Sequence, residues 1–293
     1  MRKSIEMAIR ACGSARWAFK VSEWRPSMEE LMLACSCIQE EEKQRLAKFV
    51  FREDFNSSLM GRLMMRKFIA DATAVPYDAI ILGRDEKGKP FWSNPSGSDR
   101  RVDFNVSHQG DYCVLAGCVS QERATTTKIG VDIMKMEYTG GKPLSEFFRL
   151  MTRNFSPSEW ACIKSRKSNE AQLGTFMRHW CLKESYVKNI GVGITVDLQK
   201  ISFLPATLEL SEECVTVDTK VFLDGNYDAK WKFEESLIDS QHCVAVSLLD
   251  TPTNYVPLPF ERISFEQLMD GAKALLEIDE IYCHNIQRKE YKS

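Results

Sequence analysis

The chain has 293 residues, 44% of them hydrophobic and 27% charged, with a formal net charge of −2. That length suits two modest domains or one large one, and the composition is that of an ordinary globular protein. A near-neutral balance argues against polyanion binding by bulk charge, so an anion site must be local. No stretch approaches the ~18 apolar residues that span a bilayer.

Met1–Arg10 lacks a long apolar core, so no secretory signal is expected there. Ser27-Met28-Glu29-Glu30 has the form of a helix capping box, and Leu31, Met32 and Ala34 supply an apolar face behind it. From Glu40 to about Ala72 helix formers dominate. Leu46, Phe49, Val50, Leu59, Leu63 and Phe68 recur at helical spacing, with Arg45, Lys48, Arg52, Arg62 and Arg66 on what reads mostly as a solvated face. The period then changes. Ala79–Leu82 reads as a strand, Arg84–Pro90 as a polar turn, and Asn94–Arg100 as a loop. Val102–Val106 and Tyr112–Val119 read as a hairpin turning at His108–Asp111, Gln121–Thr127 as a polar loop, and Ile129–Met134 as a further strand.

Gly140-Gly141-Lys142-Pro143 marks the expected boundary. The first half is residues 1–140, the second 141–250, and 251–293 form a C-terminal extension. Ser156-Pro157-Ser158-Glu159 is a second capping box, with proline at the first helical position. A long helix is expected from Glu170 to Ile190, stopped by Gly191-Val192-Gly193. Strands are expected at Leu198–Phe203, Val215–Leu223, Lys230–Glu235 and His242–Leu249, with a turn at Asp224-Gly225-Asn226. Ser264–Leu276 has the pattern of a short helix, and the tail from Asn285 reads as polar and mobile. The fold class expected is α+β: two similar halves forming a pseudo-dimer, each with helices packed on a small antiparallel sheet. The ten cysteines show no repeated CxxC pattern and only four histidines are present. Reduced, buried thiols of a cytoplasmic protein are expected, not a zinc site.

Four places carry potential chemistry. Asp132 lies in the apolar run Ile129-Gly130-Val131-Asp132-Ile133, where it is either an exposed acid or a metal ligand on the face opposite Val131 and Ile133. Glu184 and Lys188 share one helix face, as a surface ion pair or as part of a site, in a largely apolar neighbourhood. Ser107 and His108 sit where a strand enters a turn. No Gly-x-Ser-x-Gly elbow accompanies them, which speaks against a serine hydrolase. Arg84-Asp85-Glu86-Lys87-Gly88-Lys89-Pro90 is either a plain hairpin turn or a loop that wraps a phosphate with side-chain charge and a free Gly88 N–H. Neither GxxxxGK[ST] nor GxGxxG occurs.

Taken in order, Arg45, Arg84–Pro90, Phe104-Asn105-Val106-Ser107-His108, Gly130-Val131-Asp132 and Trp180-Cys181-Leu182-Lys183-Glu184-Ser185-Tyr186-Val187-Lys188 resemble the 4′-phosphopantetheinyl transferases of the larger, surfactin-type class, most closely its animal members. The resemblance covers about Arg16 to Leu249. It implies an active site in a cleft between two halves, with transfer of the 4′-phosphopantetheine arm of coenzyme A to a serine of an apo carrier domain. Adenosine 3′,5′-bisphosphate would be the other product. It implies Mg²⁺ held by Asp132 and Glu184, with Glu184 and Lys188 as catalytic residues that also meet coenzyme A. Coenzyme A would further be bound by Arg45, by the loop Arg84, Asp85, Glu86, Lys87, Gly88 and Lys89, and by Asn105, Val106, Ser107 and His108. Carrier domains of the fatty acid synthase and aminoadipate-semialdehyde dehydrogenase types are the partners implied, with a monomer acting in the cytosol. Many bacterial members carry a second acid where this chain has Met134. A thioether is a poor ligand for a hard cation, so two protein carboxylates and water are expected.

Overall fold

The structure, a computed structural model, describes residues 14–93, 100–120, 127–191, 196–252 and 255–291. The expectations for Met1–Arg10, for most of the 94–100 and 121–127 loops, and for Val192-Gly193 as a helix stop lie outside those residues. The chain divides into two compact units: residues up to Thr126 together with those from Phe260 on, and Thr127–Pro259.

The first unit opens with β1 (Ser14–Lys20), followed by α1 (Met28–Ser36), α2 (Glu40–Leu46) and α3 (Arg52–Thr73). Ser27 caps α1 through the expected box with Glu30. The helix-rich run is not one helix, because the chain leaves helical geometry between Leu46 and Arg52. Two short strands follow, β2 (Leu82–Arg84) and β3 (Pro90–Trp92), then the hairpin β4 (Arg101–Gln109) and β5 (Tyr112–Ser120). The strand expected at Ala79 therefore begins only at Leu82. Strand β4 runs on through His108 and Gln109, so the turn is Gly110-Asp111, with Gly110 at φ 59. Phe55, Leu59, Leu63 and Phe68 of α3 are fully buried, and Phe68 packs edge-on against Trp17 and Phe104. Arg66 departs from the expected solvated face. It is 1% exposed, and its guanidinium donates to the Tyr77 and Ile80 carbonyls and to Gln39 Oε1.

The second unit opens with β6 (Lys128–Lys135), followed by α4 (Leu144–Leu150), α5 (Pro157–Lys164) and α6 (Asn169–Ile190). Ser156 caps α5 through the expected box with Glu159, and α6 ends at Gly191, φ 64. Strands β7 (Ile201–Leu204), β8 (Lys220–Leu223) and β9 (Asn226–Tyr227) form a small sheet, and β10 (Trp231–Asp239) and β11 (His242–Leu249) a hairpin. Each of β7 and β8 is shorter than its sequence pattern suggests. Strand β6, which the sequence places in the first half, pairs with β11, Asp132 opposite Ala245. This pairing moves the boundary from residue 140 to Thr126.

The halves do repeat. In the first unit β1 pairs with β5 and β5 with β4; in the second β6 pairs with β11 and β11 with β10, all antiparallel. A 22-residue helix packs on each sheet. The expected α+β architecture of two similar halves on small antiparallel sheets is therefore present, with one strand of each half preceding its helices.

The tail, expected to be mobile, packs against the first unit as far as it is described, to residue 291. Strand β12 (Glu261–Arg262) pairs in parallel with β1, and α7 (Phe265–Met269) and α8 (Glu280–Gln287) follow. Leu268, Cys283 and Ile286 are buried in the first unit's core. Lys289 donates to the Ala47 and Phe49 carbonyls, and the Arg52 N–H donates to the Glu290 carbonyl. The backbone groups exposed by the break between α2 and α3 thus find their partners in the tail. Ile286→Ala should cost about 2–5 kcal/mol, read as a lower midpoint in calorimetry. Ile281→Ala, at a side chain 76% exposed, should leave the midpoint in place.

Candidate functional site

In the second unit, helix and sheet come close where β6 carries no side chain. A Cβ on Gly130 would stand 2.1 Å from the Ser185 carbonyl oxygen and 2.6 Å from the Asn189 nitrogen. Helix α6 therefore lies directly on β6 and is latched there by polar bonds. Asn189 Nδ2 donates to the carbonyls of Lys128 at 3.0 Å and Ser247 at 2.9 Å. Ser247 Oγ donates to the Ser185 carbonyl at 2.8 Å, and the Cys181 thiol to the Asp132 carbonyl at 3.1 Å.

Two residues on from Gly130, Asp132 faces the same helix. Its side chain is 3% exposed and accepts a bond from Lys188 Nζ at 2.5 Å. The exposed-acid alternative is thereby removed. Lys188 keeps 29% of its side chain exposed, so the pair opens to solvent on the lysine side. Glu184, one turn before Lys188, has its pKa raised, first by burial and then by the negative charge of Asp132, with Lys188 acting the other way. Two carboxylates are thus held near enough to repel. Among the described residues no group of three or more His, Cys, Asp or Glu side chains is placed to hold a metal. Met134, which is not expected to be a ligand, packs against the apolar cluster that includes Cys181 and Leu182.

The remaining charged residue of the helical motif has another task. Lys183 is fully buried, 2.9 Å from Glu159, and donates to the carbonyls of Leu198 and Ile201. Glu159 also accepts from the backbone of Ser156 and Phe203. Burial lowers the Lys183 pKa against the opposing pull of Glu159. Sequence reasoning gave neither residue this role. The signal was available in Glu159, the capping-box acid, whose second oxygen needs a partner if the helix start is buried.

In the first unit, Arg84 ends β2 opposite Pro90, and Asp85 to Lys89 is the turn between β2 and β3. The free Gly88 N–H expected from sequence is not there: it donates to the Asp85 carbonyl at 2.9 Å, with Gly88 at φ 86. The Lys87 and Lys89 N–H groups donate to Asp85 Oδ1 at 2.9 and 2.8 Å. Asp85 organises the turn as an Asx motif, and charge can be offered outward only by side chains. Arg84 is held by Glu42 and the Gly88 carbonyl. Lys89 Nζ lies 3.8 Å from Asp103. Glu86, Lys87 and Arg45 are exposed. On β4, Asn105 and Ser107 are buried and His108 is exposed. Val106 faces α3 at Gly61. The expected site residues therefore form one group within each unit: Arg84, Asp85, Gly88 and Lys89 in the first, and Asp132, Glu184 and Lys188 in the second.

Gly130→Ala should push α6 off β6 and lower the thermal midpoint. Gly174→Ala on the same helix, whose Cβ would meet only Met136 Sδ at 3.8 Å, should not. Calorimetry of the two variants reads the difference.

Residues 22–120 match the family described as "4′-phosphopantetheinyl transferase, N-terminal", and residues 128–247 the "4′-phosphopantetheinyl transferase superfamily". An L-aminoadipate-semialdehyde dehydrogenase-phosphopantetheinyl transferase of Xenopus laevis is 42% identical over 297 residues, covering 97% of this chain and 95% of that protein. The protein of the same description in Homo sapiens is 40% identical, covering 88% and 85%. A phosphopantetheinyl transferase of a Thraustochytrium species is 37% identical, covering 79% and 77%. Over most of its length, and in both of its units, the chain belongs to the 4′-phosphopantetheinyl transferases.

Proposed function

We propose that this enzyme moves the 4′-phosphopantetheine arm of coenzyme A onto a serine hydroxyl of an apo carrier-protein domain. The observation that carries the reading is the group under α6: buried Asp132, the raised carboxyl of Glu184, and Lys188 open to solvent. The relatives' names, which include aminoadipate-semialdehyde dehydrogenase, support a carrier of that type as one acceptor. Fatty acid synthase carrier domains are the second type proposed.

Hard carboxylate oxygens suit magnesium, which keeps waters and substrate phosphate among its ligands. Asp132 and Glu184 would hold it, and its charge would be available to neutralise the pyrophosphate. Lys188 presents its ammonium to the same pyrophosphate and offsets charge on the leaving group. Glu184 accepts the proton of the carrier serine, directly or through a water. The serine oxygen then forms a bond to the phosphorus that bears the pantetheine. The bond from that phosphorus to the bridging oxygen breaks, and adenosine 3′,5′-bisphosphate leaves. Arg84 and Lys89 hold the nucleotide end by side-chain charge, joined in this reading by Arg45, Ser107 and His108.

Incubation with an apo carrier domain, coenzyme A and Mg²⁺ should add the mass of one phosphopantetheine to the carrier. Glu184→Gln should slow transfer about 10²–10⁴-fold. No mass gain on carriers of either type, or undiminished transfer by Glu184→Gln, would overturn the reading.

A further inference from the structure

Arg84 does not stand alone on its hairpin. Its Nε donates to Glu42 Oε1 at 3.0 Å and its Nη2 to Glu42 Oε2 at 2.9 Å, so the carboxylate grips one edge of the guanidinium in two places. Its Nη1 donates to the Gly88 carbonyl at 2.9 Å. Three of five N–H donors are engaged, and two have no partner among the described residues. Glu42 is in turn fixed from α3: Arg62 Nε donates to its Oε2 at 2.6 Å, and Arg62 Nη1 is tied to the Ser58 carbonyl at 3.1 Å.

The three side chains are 16%, 11% and 22% exposed for Arg62, Glu42 and Arg84. A simple ion pair would be neutral, but this cluster of two guanidiniums and one carboxylate keeps a net charge of +1. Burial pushes the Glu42 carboxyl up, yet Arg84 and Arg62 hold it below the ordinary glutamate range, so it stays an anion. Glu42 thus costs the site one charge and returns rigidity. The long Arg84 side chain is ordered before any ligand arrives, which removes that ordering from the free energy of binding.

We infer that Glu42 and Arg62 are positioning residues: a relay from α3 through Arg62 and Glu42 sets the Arg84 guanidinium so that its remaining N–H pair meets a phosphate at the nucleotide end of coenzyme A. The inference rests on the reading of Arg84 as a coenzyme A ligand. The helical run Glu40–Leu46 gave no hint of it, because Glu42 is one of three consecutive glutamates, and only burial singles it out.

The test is steady-state transfer by the full chain with coenzyme A varied at saturating carrier. Glu42→Gln keeps the shape and an acceptor oxygen but removes the charge. Its KM for coenzyme A should rise about tenfold with kcat within about twofold, since the reacting atoms are untouched. In an Arg84→Ala background the same change should add less than about twofold, because Glu42 acts through Arg84. KM does not depend on the folded fraction, so a partly unfolded preparation leaves the readout intact. Should Glu42→Gln not fold, Arg62→Lys, which keeps the charge but loses the Nε donor, should raise KM about threefold. An active wild type whose KM is unmoved by these changes, or full additivity of Glu42→Gln with Arg84→Ala, overturns the positioning role. A wild type with no transfer at all overturns the proposed function instead.

Discussion

The second unit depends on the direct contact of α6 with β6 at Gly130. With no side chain there, the helix backbone comes within reach of the strand, and Asn189, Ser247 and Cys181 fasten it at that distance. Everything the site needs follows from that spacing. Asp132 is carried beneath the helix instead of onto open solvent, Lys188 closes on it, and Glu184 is brought close enough to feel its charge. A helix held a side chain's width further out would leave three separate surface groups in place of one cluster.

The same helix shows how a site and a core are built from one stretch. Arg178 grips Glu235 with two bonds of 2.7 and 2.9 Å, and Lys183 reaches Glu159 across a fully buried gap. Buried charges are costly unless paired and hydrogen-bonded, and both pairs are completed by backbone carbonyls. They join α6 to β10 and α5. Glu184 and Lys188, lying beyond these anchors, are left partly exposed and available for chemistry.

Local signals in the sequence were reliable where the interaction is local. Ser27 and Ser156 cap helices as their boxes indicate, α6 ends at Gly191, and β11 has the expected bounds. The i,i+4 relation of Glu184 to Lys188 needed no structure. Features set by distant partners were not legible. The break between α2 and α3 has neither glycine nor proline, and its backbone groups are satisfied by Lys289 and Glu290. Strand β6 looked like the end of the first half because its partner, β11, comes more than a hundred residues later. Asp132 read as an even choice between acid and ligand, since burial under α6 is a tertiary fact. The Gly88 N–H is spoken for by a local bond instead: the Asp85 carbonyl accepts it, within a turn whose Lys87 and Lys89 N–H groups go to the Asp85 side chain.

The claim that Asp132 and Glu184 form one metal and pyrophosphate site is tested most directly by titrating Mn²⁺ in place of Mg²⁺, with coenzyme A present. Free Mn²⁺ is followed by electron paramagnetic resonance. Wild type should take up Mn²⁺ saturably, and Asp132→Asn and Glu184→Gln should each weaken that uptake at least about tenfold. Equal Mn²⁺ binding by all three proteins would contradict it.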